Sequence, residues 1–478
     1  MNIYKISVCL FISLFLFNSN IEAQKNGFNI KITIDKYPDS LLYLVNYYGK
    51  TNQIKDTAYI HNGNFSFEGK TPLEGGIYMC VTKDRKYFEM IVDKEQNFSL
   101  RTTNEDFVNS MKIKGSIDNE DFYSYLKFLS SKEIDKKSIE ESYKDKTDSI
   151  SKKELNGKLN LLNEDVLAYK LKIMGEKPNS FLTTILKASK EPEIPTILPK
   201  NDKGETDSAY IYQYYKAHFF DDFNFADERV LRTPIYATKL TKYFTKVLLQ
   251  QADTLIKEAD RIIAASKSNK ETYKYCIWYF TYETETSQIM GLDAVFVHLV
   301  NTYYKTGEAY WVNETVLKNI IERADVLNKL LLGKPAPNMV MIDTNNNLAS
   351  MLSIKSKYTI LLFWDPDCGH CRQEIPLLRD WMKENKDKYG VEIFSICSDT
   401  NLIKWKTFIN NFQIRDWINV NGTRSATENY HDLYDVISTP TIYLLDKDKK
   451  IIAKRLAYEQ LVNFIKNDYN SKLIKEIK

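Results

Sequence analysis

The sequence predicts a multidomain protein with an N-terminal all-β domain, an α-helical middle domain and a C-terminal α/β domain. Three observations lead to this prediction: apolar residues alternate with polar ones early in the chain, recur every three or four residues in the middle, and fall into alternating strand and helix patterns near the end. The chain has 478 residues, enough for several domains that each bury a core. After a leader at residues 1–23, we place the domains at residues 24–117, 118–332 and 333–478.

The first residues have the pattern of a secretory signal peptide. Met1 to Ser7 carries Lys5 and no acidic residue, and Val8 to Phe17 is a short apolar run. The run is shorter than the ~20 residues that cross a bilayer, which disfavours an uncleaved anchor. We therefore predict cleavage after Ala23, a periplasmic or otherwise exported location, and a mature chain without a transmembrane segment.

Residues 24–117 are predicted to form an antiparallel β domain. Phe28, Ile30 and Ile32 alternate with polar neighbours, and turn-forming residues such as His61 to Asn64 separate the strand-like segments.

Residues 118–332 have helical spacing instead. The apolar residues between Leu240 and Ile263 predict one amphipathic helix. Further predicted helices cover Lys152–Met174, Glu271–Met290, Asp293–Lys305 and Asn313–Leu332. No catalytic motif is recognisable in this region.

The C-terminal region begins with the turn-rich junction Gly333–Asn338 and continues as α/β. Predicted strands are Tyr358–Phe363, Val391–Cys397, Thr441–Leu445 and Ile451–Ala453, and predicted helices are Arg372–Glu384, one around Leu402–Phe412, and Tyr458–Asp468. Such alternation predicts a sheet with helices on its faces.

The strongest chemical signal is the pair Cys368 and Cys371, placed where a predicted strand turns into a predicted helix. Two cysteines at this spacing can close into a disulfide, and the N–H groups and dipole of a helix start stabilise a thiolate on the first one. The pair therefore indicates electron-transfer chemistry. Cys80, Cys276 and Cys397 are predicted to be buried single thiols.

Other classes of site are disfavoured. Zinc at the cysteine pair would need two further ligands at suitable spacing, and no second Cys-x-x-Cys exists, so we predict no metal and no other cofactor. The remaining histidines beyond the leader are assigned no ligand role: His61, His218, His298 and His431. Lys and Arg total 66 against 63 Asp and Glu, with both signs interspersed, so no nucleic-acid partner is predicted.

Two motifs carry a family resemblance. Trp364 to Pro376 resembles the active site of thioredoxin-fold oxidoreductases, with the Cys-Gly-His-Cys arrangement familiar from protein disulfide isomerases. Ser438 to Thr441 resembles the second signature of that family, a cis proline beside the dithiol. The helix around Trp405 and the Gly333–Asn338 junction are similar to the TlpA/ResA-like branch. The regions before residue 333 look like uncharacterised domains of exported Gram-negative proteins.

This resemblance implies roles for the two cysteines and their neighbours. Cys368 is expected to be the nucleophile and Cys371 the resolving thiol, so that the pair closes as a disulfide. Gly369 is expected to let the turn enter the helix. A protonated His370 is expected to stabilise the thiolate, with Asp365 and Asp367 opposing it.

The second motif and two departures from the family add further expectations. Thr439, before a cis Pro440, is expected to pair with an extended client chain. Asp367 stands where the family usually has Trp, and Leu362 where thioredoxin has a buried Asp. Glu374, common in the TlpA-like branch, is then the candidate proton acceptor for Cys371, and the alternative is a solvated carboxylate at the helix start.

We accordingly predict an exported thiol-disulfide oxidoreductase that reduces, oxidises or isomerises disulfides. Its expected partners are client proteins with thiols or disulfides and an upstream thiol redox partner. One alternative is a partner-binding or scaffold protein in which the redox domain is an accessory. A thiol peroxidase is a further alternative, but Asp365 and Leu361 stand where peroxiredoxins have Thr or Ser and Pro.

Overall fold

The computed structural model describes residues 27–200 and 202–477, with the backbone alone for residues 475–477. The predicted signal peptide and its cleavage after Ala23 lie outside the described residues. The chain divides into two compact units. The first consists of the chain up to Ser189 together with the segment Arg229–Tyr236, and the second consists of Lys190–Glu228 together with the chain from Ala237. The domain boundaries predicted from the sequence remain predictions. Within the described ranges, no helix combines the length and apolarity needed to cross a bilayer.

The first unit begins with two four-stranded β-sheets, in the orders β4-β1-β7-β8 and β3-β2-β5-β6. Their strands are β1 Phe28–Asp35, β2 Leu41–Tyr48, β3 Thr51–Tyr59, β4 Phe65–Gly69, β5 Gly76–Thr82, β6 Tyr87–Val92, β7 Asn97–Thr103 and β8 Lys112–Lys114. The alternation predicted from the sequence places Ile30 and Ile32 in the core and leaves Lys31 exposed.

The predicted all-antiparallel pairing is wrong at one position, because β1 and β7 run parallel. A parallel pair needs a long crossover connection, and the strands between β1 and β7 provide it. The alternation of apolar residues along a strand does not reveal the direction of its neighbour.

Three helices follow the sheets in the first unit: α1 Ile117–Tyr143, α2 Ser149–Glu176 and α3 Phe181–Ser189. Ser116 caps α1 by accepting a hydrogen bond from the Asn119 N–H, and Asp148 caps α2 through the Ile150 and Ser151 N–H groups.

Further helices follow along the chain: α4 Ser208–His218, α5 Glu228–Leu231, α6 Pro234–Lys242, α7 Ala252–Ser266, α8 Lys270–Glu285, α9 Asp293–Leu299 and α10 Glu314–Lys329. The single helix predicted over Leu240–Ile263 is wrong. A π-helical turn at Tyr243–Val247 and an extended Leu248 separate α6 from α7. The Gln250 side chain donates to the carbonyls of Phe244 and Leu248 at 2.8 and 3.0 Å, which satisfies acceptors at the break.

The C-terminal region is a seven-stranded mixed sheet in the order β10-β9-β13-β12-β11-β14-β15. Its elements are β9 Val340–Asp343, β10 Leu348–Ser350, β11 Tyr358–Trp364, α11 Gly369–Tyr389, β12 Val391–Cys397, α12 Leu402–Asn411, β13 Ile418–Ser425, α13 Tyr430–Leu433, β14 Thr441–Leu445, β15 Ile451–Lys454 and α14 Tyr458–Ile477. This arrangement confirms the predicted thioredoxin-like α/β class.

Strand β11 is buried along its whole length because both faces of the sheet are covered. Ile360 and Leu362 belong to one core cluster with residues of α11, α12 and α14. Leu361 and Phe363 belong to the opposite cluster, which includes Tyr430 of α13. A continuous apolar run is typical of such a central strand.

A buried lysine joins the end of the sheet to the helices before it. Lys454 at the end of β15 forms an ion pair with Asp293 at the start of α9, and it donates to the Leu330 carbonyl at the end of α10 at 2.6 Å. The lysine side chain is 5% exposed and the aspartate 16%. Burial lowers the pKa of Lys454, and the Asp293 carboxylate opposes this shift.

We expect Lys454→Ala to lower the free energy of unfolding by about 3–5 kcal/mol, because the Asp293 charge then stays buried without its counterion. Urea denaturation measures the change. The control Lys318→Ala removes an exposed pair with Glu322, and it is expected to cost less than about 1 kcal/mol. Equal losses in both variants would contradict a role for the buried pair.

Candidate active site

The candidate site forms where two loops leave the same edge of the C-terminal sheet. β11 ends at Trp364 and β14 begins at Thr441, and their antiparallel register places Phe363 opposite Thr441. The loop before α11 and the loop before β14 therefore meet. The Cys368 thiol donates to the Thr439 carbonyl at 3.0 Å, and the Thr439–Pro440 peptide bond is cis, as predicted.

The two sulfurs have different surroundings. Cys368 is the N-cap residue of α11, is partly exposed, and accepts a hydrogen bond from the Cys371 N–H at 3.4 Å. Cys371 lies in the first turn of the helix and is fully buried. Only Cys368 is placed to meet a bulky reactant.

The helix start favours a thiolate on Cys368. Partial burial by itself raises the pKa of this thiol, but hydrogen bonds outweigh burial and the pKa is lowered. The donors are the side chains of Cys371 and Thr439 and the backbone N–H groups of Cys371 and His370.

Cys371 shows the opposite behaviour. Burial, reinforced by its hydrogen bond with Cys368, raises the pKa of Cys371 to about 12. The two thiols are thus distinguished by solvation and by their positions in the first helical turn, which is the asymmetry expected of a nucleophile and a resolving thiol.

The two aspartates before Cys368 have polar partners, and those of Asp367 are cationic. Asp367 forms an ion pair with Lys404 of α12, and the Arg372 guanidinium lies 4.0 Å away. Asp365 accepts a hydrogen bond from the Ser398 hydroxyl at 2.7 Å. Sequence reasoning missed Lys404 and Ser398 because only the fold brings them to this loop, whereas Arg372 follows Cys371 directly.

The residues between the two cysteines are exposed. His370 reaches Cys368 through its backbone N–H, and the tuning role of its ring stays a prediction. Gly369 is the first residue of α11, its φ is not in the positive range, and an added Cβ would meet no atom within 4 Å, so its role in the turn stays a prediction.

Glu374 lies one helical turn after Cys371 and is half-buried. Its Oε2 atom is buried without a hydrogen-bond partner among the described residues. Leu362, which stands where thioredoxin has a buried Asp, is part of the hydrophobic core. Glu374 therefore remains the candidate for accepting the Cys371 proton.

The three other cysteines of the described residues do not take part in the Cys368–Cys371 pair. Cys80, Cys276 and Cys397 are buried, as predicted. Burial raises the pKa of Cys80, and it raises the pKa of Cys397 to about 12. Nowhere in residues 27–200 and 202–477 do three or more His, Cys, Asp or Glu side chains gather as a metal site.

Three parts of the chain match protein families. Residues 332–454 match the AhpC/TSA family. Residues 28–122 and 119–327 each match a domain of unknown function, DUF4369 and DUF5106 respectively.

Several curated proteins and solved structures are similar to parts of this chain. "Thiol-disulfide oxidoreductase ResA" of one Bacillus cereus strain is 31% identical over 127 residues, which are 26% of this chain and 70% of the relative. The protein of the same name from a second Bacillus cereus strain is 30% identical over 141 residues, 29% of this chain and 79% of the relative. A solved domain of a possible thiol-disulfide isomerase from Cytophaga hutchinsonii is 41% identical, with a TM-score of 0.28, and the match covers 30% of this chain and 97% of that domain.

We expect iodoacetamide at neutral pH to modify Cys368 before any other thiol. The rate should rise with a midpoint below the ordinary thiol pKa of about 8.5, because the folded state favours the thiolate. Mass spectrometry of the labelled peptides identifies the site, and buried Cys397 is the internal control. A midpoint above about 8.5, or earlier labelling of Cys371, would contradict the assignment.

Proposed function

Because the chain belongs, through its C-terminal region, to the ResA-like thiol-disulfide oxidoreductases of the AhpC/TSA family, we propose that it exchanges disulfides with client proteins through Cys368 and Cys371. One observation carries the proposal: an accessible thiol with a lowered pKa lies one helical turn from a buried thiol with a raised pKa.

The proposed exchange has two steps. The Cys368 thiolate attacks a client disulfide, forming a Cys368–client bond and releasing one client thiolate. Cys371 then loses its proton and attacks the Cys368 sulfur, so that the second client thiolate leaves and a Cys368–Cys371 disulfide forms. Two electrons pass from the dithiol to the client. The reverse sequence oxidises a client dithiol, and an upstream thiol partner restores the dithiol after reduction.

Thr439 is proposed to hold the client chain beside Cys368. Its carbonyl accepts from the protonated Cys368 thiol, and it becomes free for a client N–H once Cys368 loses its proton, because a thiolate donates no hydrogen bond. Ile437, which is 73% exposed, and half-buried Pro440 provide apolar contacts beside it.

We propose an exported location, which is supported by the signal-peptide pattern of residues 1–23. A partner-binding role for residues 24–332 stays a prediction. The N-terminal region matches domains of unknown function.

The proposal is tested with two cysteine variants. Cys368→Ser should abolish insulin reduction because the attacking sulfur is lost, whereas Cys371→Ser should accumulate mixed disulfides because nothing resolves them. Non-reducing gels and peptide mapping identify the trapped sulfur. Cys80→Ala, which changes a buried thiol in the β-sheets, is the control and should keep wild-type turnover. Full insulin reduction by Cys368→Ser would end the proposal.

Glu374→Gln should slow release of the mixed disulfide by about a hundredfold, because the amide cannot accept the Cys371 proton. Single-turnover release of client thiol measures this step, and the alkylation rate of Cys368 should stay unchanged. Glu384→Gln, at an exposed position of the same helix, is the control. Release at the wild-type rate would show that Glu374 does not accept the Cys371 proton.

A further inference from the structure

The loop that carries Thr439 is fixed by an acidic side chain outside the dithiol motif. Asp435 lies five residues before Pro440, has a φ of 47° and is 13% exposed through its side chain. Its carboxylate forms ion pairs with two arginines, Arg455 and Arg323. Neither arginine belongs to a motif that the sequence predicted.

Arg455 joins the two sides of this loop. Its guanidinium pairs with Asp435 before Thr439, and its backbone N–H donates to the Ile442 carbonyl after Pro440 at 2.7 Å. The segment that contacts Cys368 is therefore held at both ends by one residue.

Arg323 connects the same loop to the helical region. It lies on α10, its Nη2 atom is 3.9 Å from the Asp435 carboxylate, and its Nε atom is 3.3 Å from Glu285 of α8. Arg323 and Glu285 are 31% and 32% exposed, so solvent screens this chain of charges less than it screens a surface pair.

We propose that Arg323 is a positioning residue for client binding. By pairing with Asp435, it holds the Val436–Thr439 segment where the Thr439 backbone can meet an extended client chain beside Cys368. The helical region thereby contributes to the redox site without touching a sulfur. This inference rests on the proposed function, since it names a determinant of client binding at that site.

The test compares variants of the full-length chain with insulin as the client. Arg323→Gln should raise the KM for insulin about fivefold, equivalent to about 1 kcal/mol, while the alkylation rate of Cys368 by iodoacetamide stays at the wild-type value. Arg323→Lys should restore most of the affinity because it keeps the charge. Lys318→Gln, which removes an exposed pair on the same helix, should change neither quantity.

A double variant tests the route through Asp435. Asp435→Asn keeps a residue type that tolerates positive φ, and in that background Arg323→Gln should have no further effect on KM. Additive effects, or equal KM values for Arg323→Gln and Lys318→Gln, would overturn the inference. Urea denaturation checks that each variant is folded, and Arg323→Met, which keeps the apolar stem, replaces Arg323→Gln if that variant is unstable.

A stoichiometric reaction separates this inference from the proposed function. An extended peptide carrying one disulfide reacts with Cys368 without turnover, so its rate can be measured even if insulin is not reduced. If the wild-type protein reacts with the peptide disulfide but does not reduce insulin, the proposed function is contradicted and the positioning role is not. If the peptide disulfide reacts with Cys368 at the same rate in wild type and in Arg323→Gln, the positioning role is contradicted and the proposed function is not.

Discussion

The candidate active site depends on the neighbours of one central strand. β11 lies between β12, which runs parallel to it, and β14, which runs antiparallel. Only the antiparallel pairing brings the end of β11 to the start of β14, so that Cys368 and Thr439, 71 residues apart in the chain, come within hydrogen-bonding distance. The same strand is buried on both faces, which explains why no charged residue appears in its sequence.

The sequence was sufficient for elements whose hydrophobic pattern matches their environment. Val391–Cys397 and Thr441–Leu445 were predicted to the residue because both are nearly continuous apolar runs. Strand β13 was missed because Asn419 and Asn421 are buried in it and donate to the backbone carbonyls of Ile414 and Asp399. Helix α11 begins before its predicted start because a cysteine caps it, and it ends at Tyr389, followed by Gly390 as the C-cap with a φ of 67°.

In the candidate site, the sequence predicted the features that neighbouring residues determine. It did not predict the contacts between residues that are distant in the chain. Cys368, Cys371 and the cis bond before Pro440 follow from two short motifs. The balance of charge around the thiolate does not, because Lys404 reaches Asp367 only after α12 has packed onto the sheet. The departure at Leu362 was visible in the sequence, but the buried and unpartnered oxygen of Glu374 was not.

The burial of the cysteines also bears on how this protein folds. Before folding, the thiols of Cys80, Cys276, Cys368, Cys371 and Cys397 are chemically almost equivalent, and an oxidant could join any two of them. In the folded chain four of these sulfurs are buried and only Cys368 is partly exposed. Selectivity among the sulfurs is therefore acquired during folding rather than encoded in the residue type. In an oxidising compartment, the speed of core formation relative to thiol oxidation decides how many chains become active.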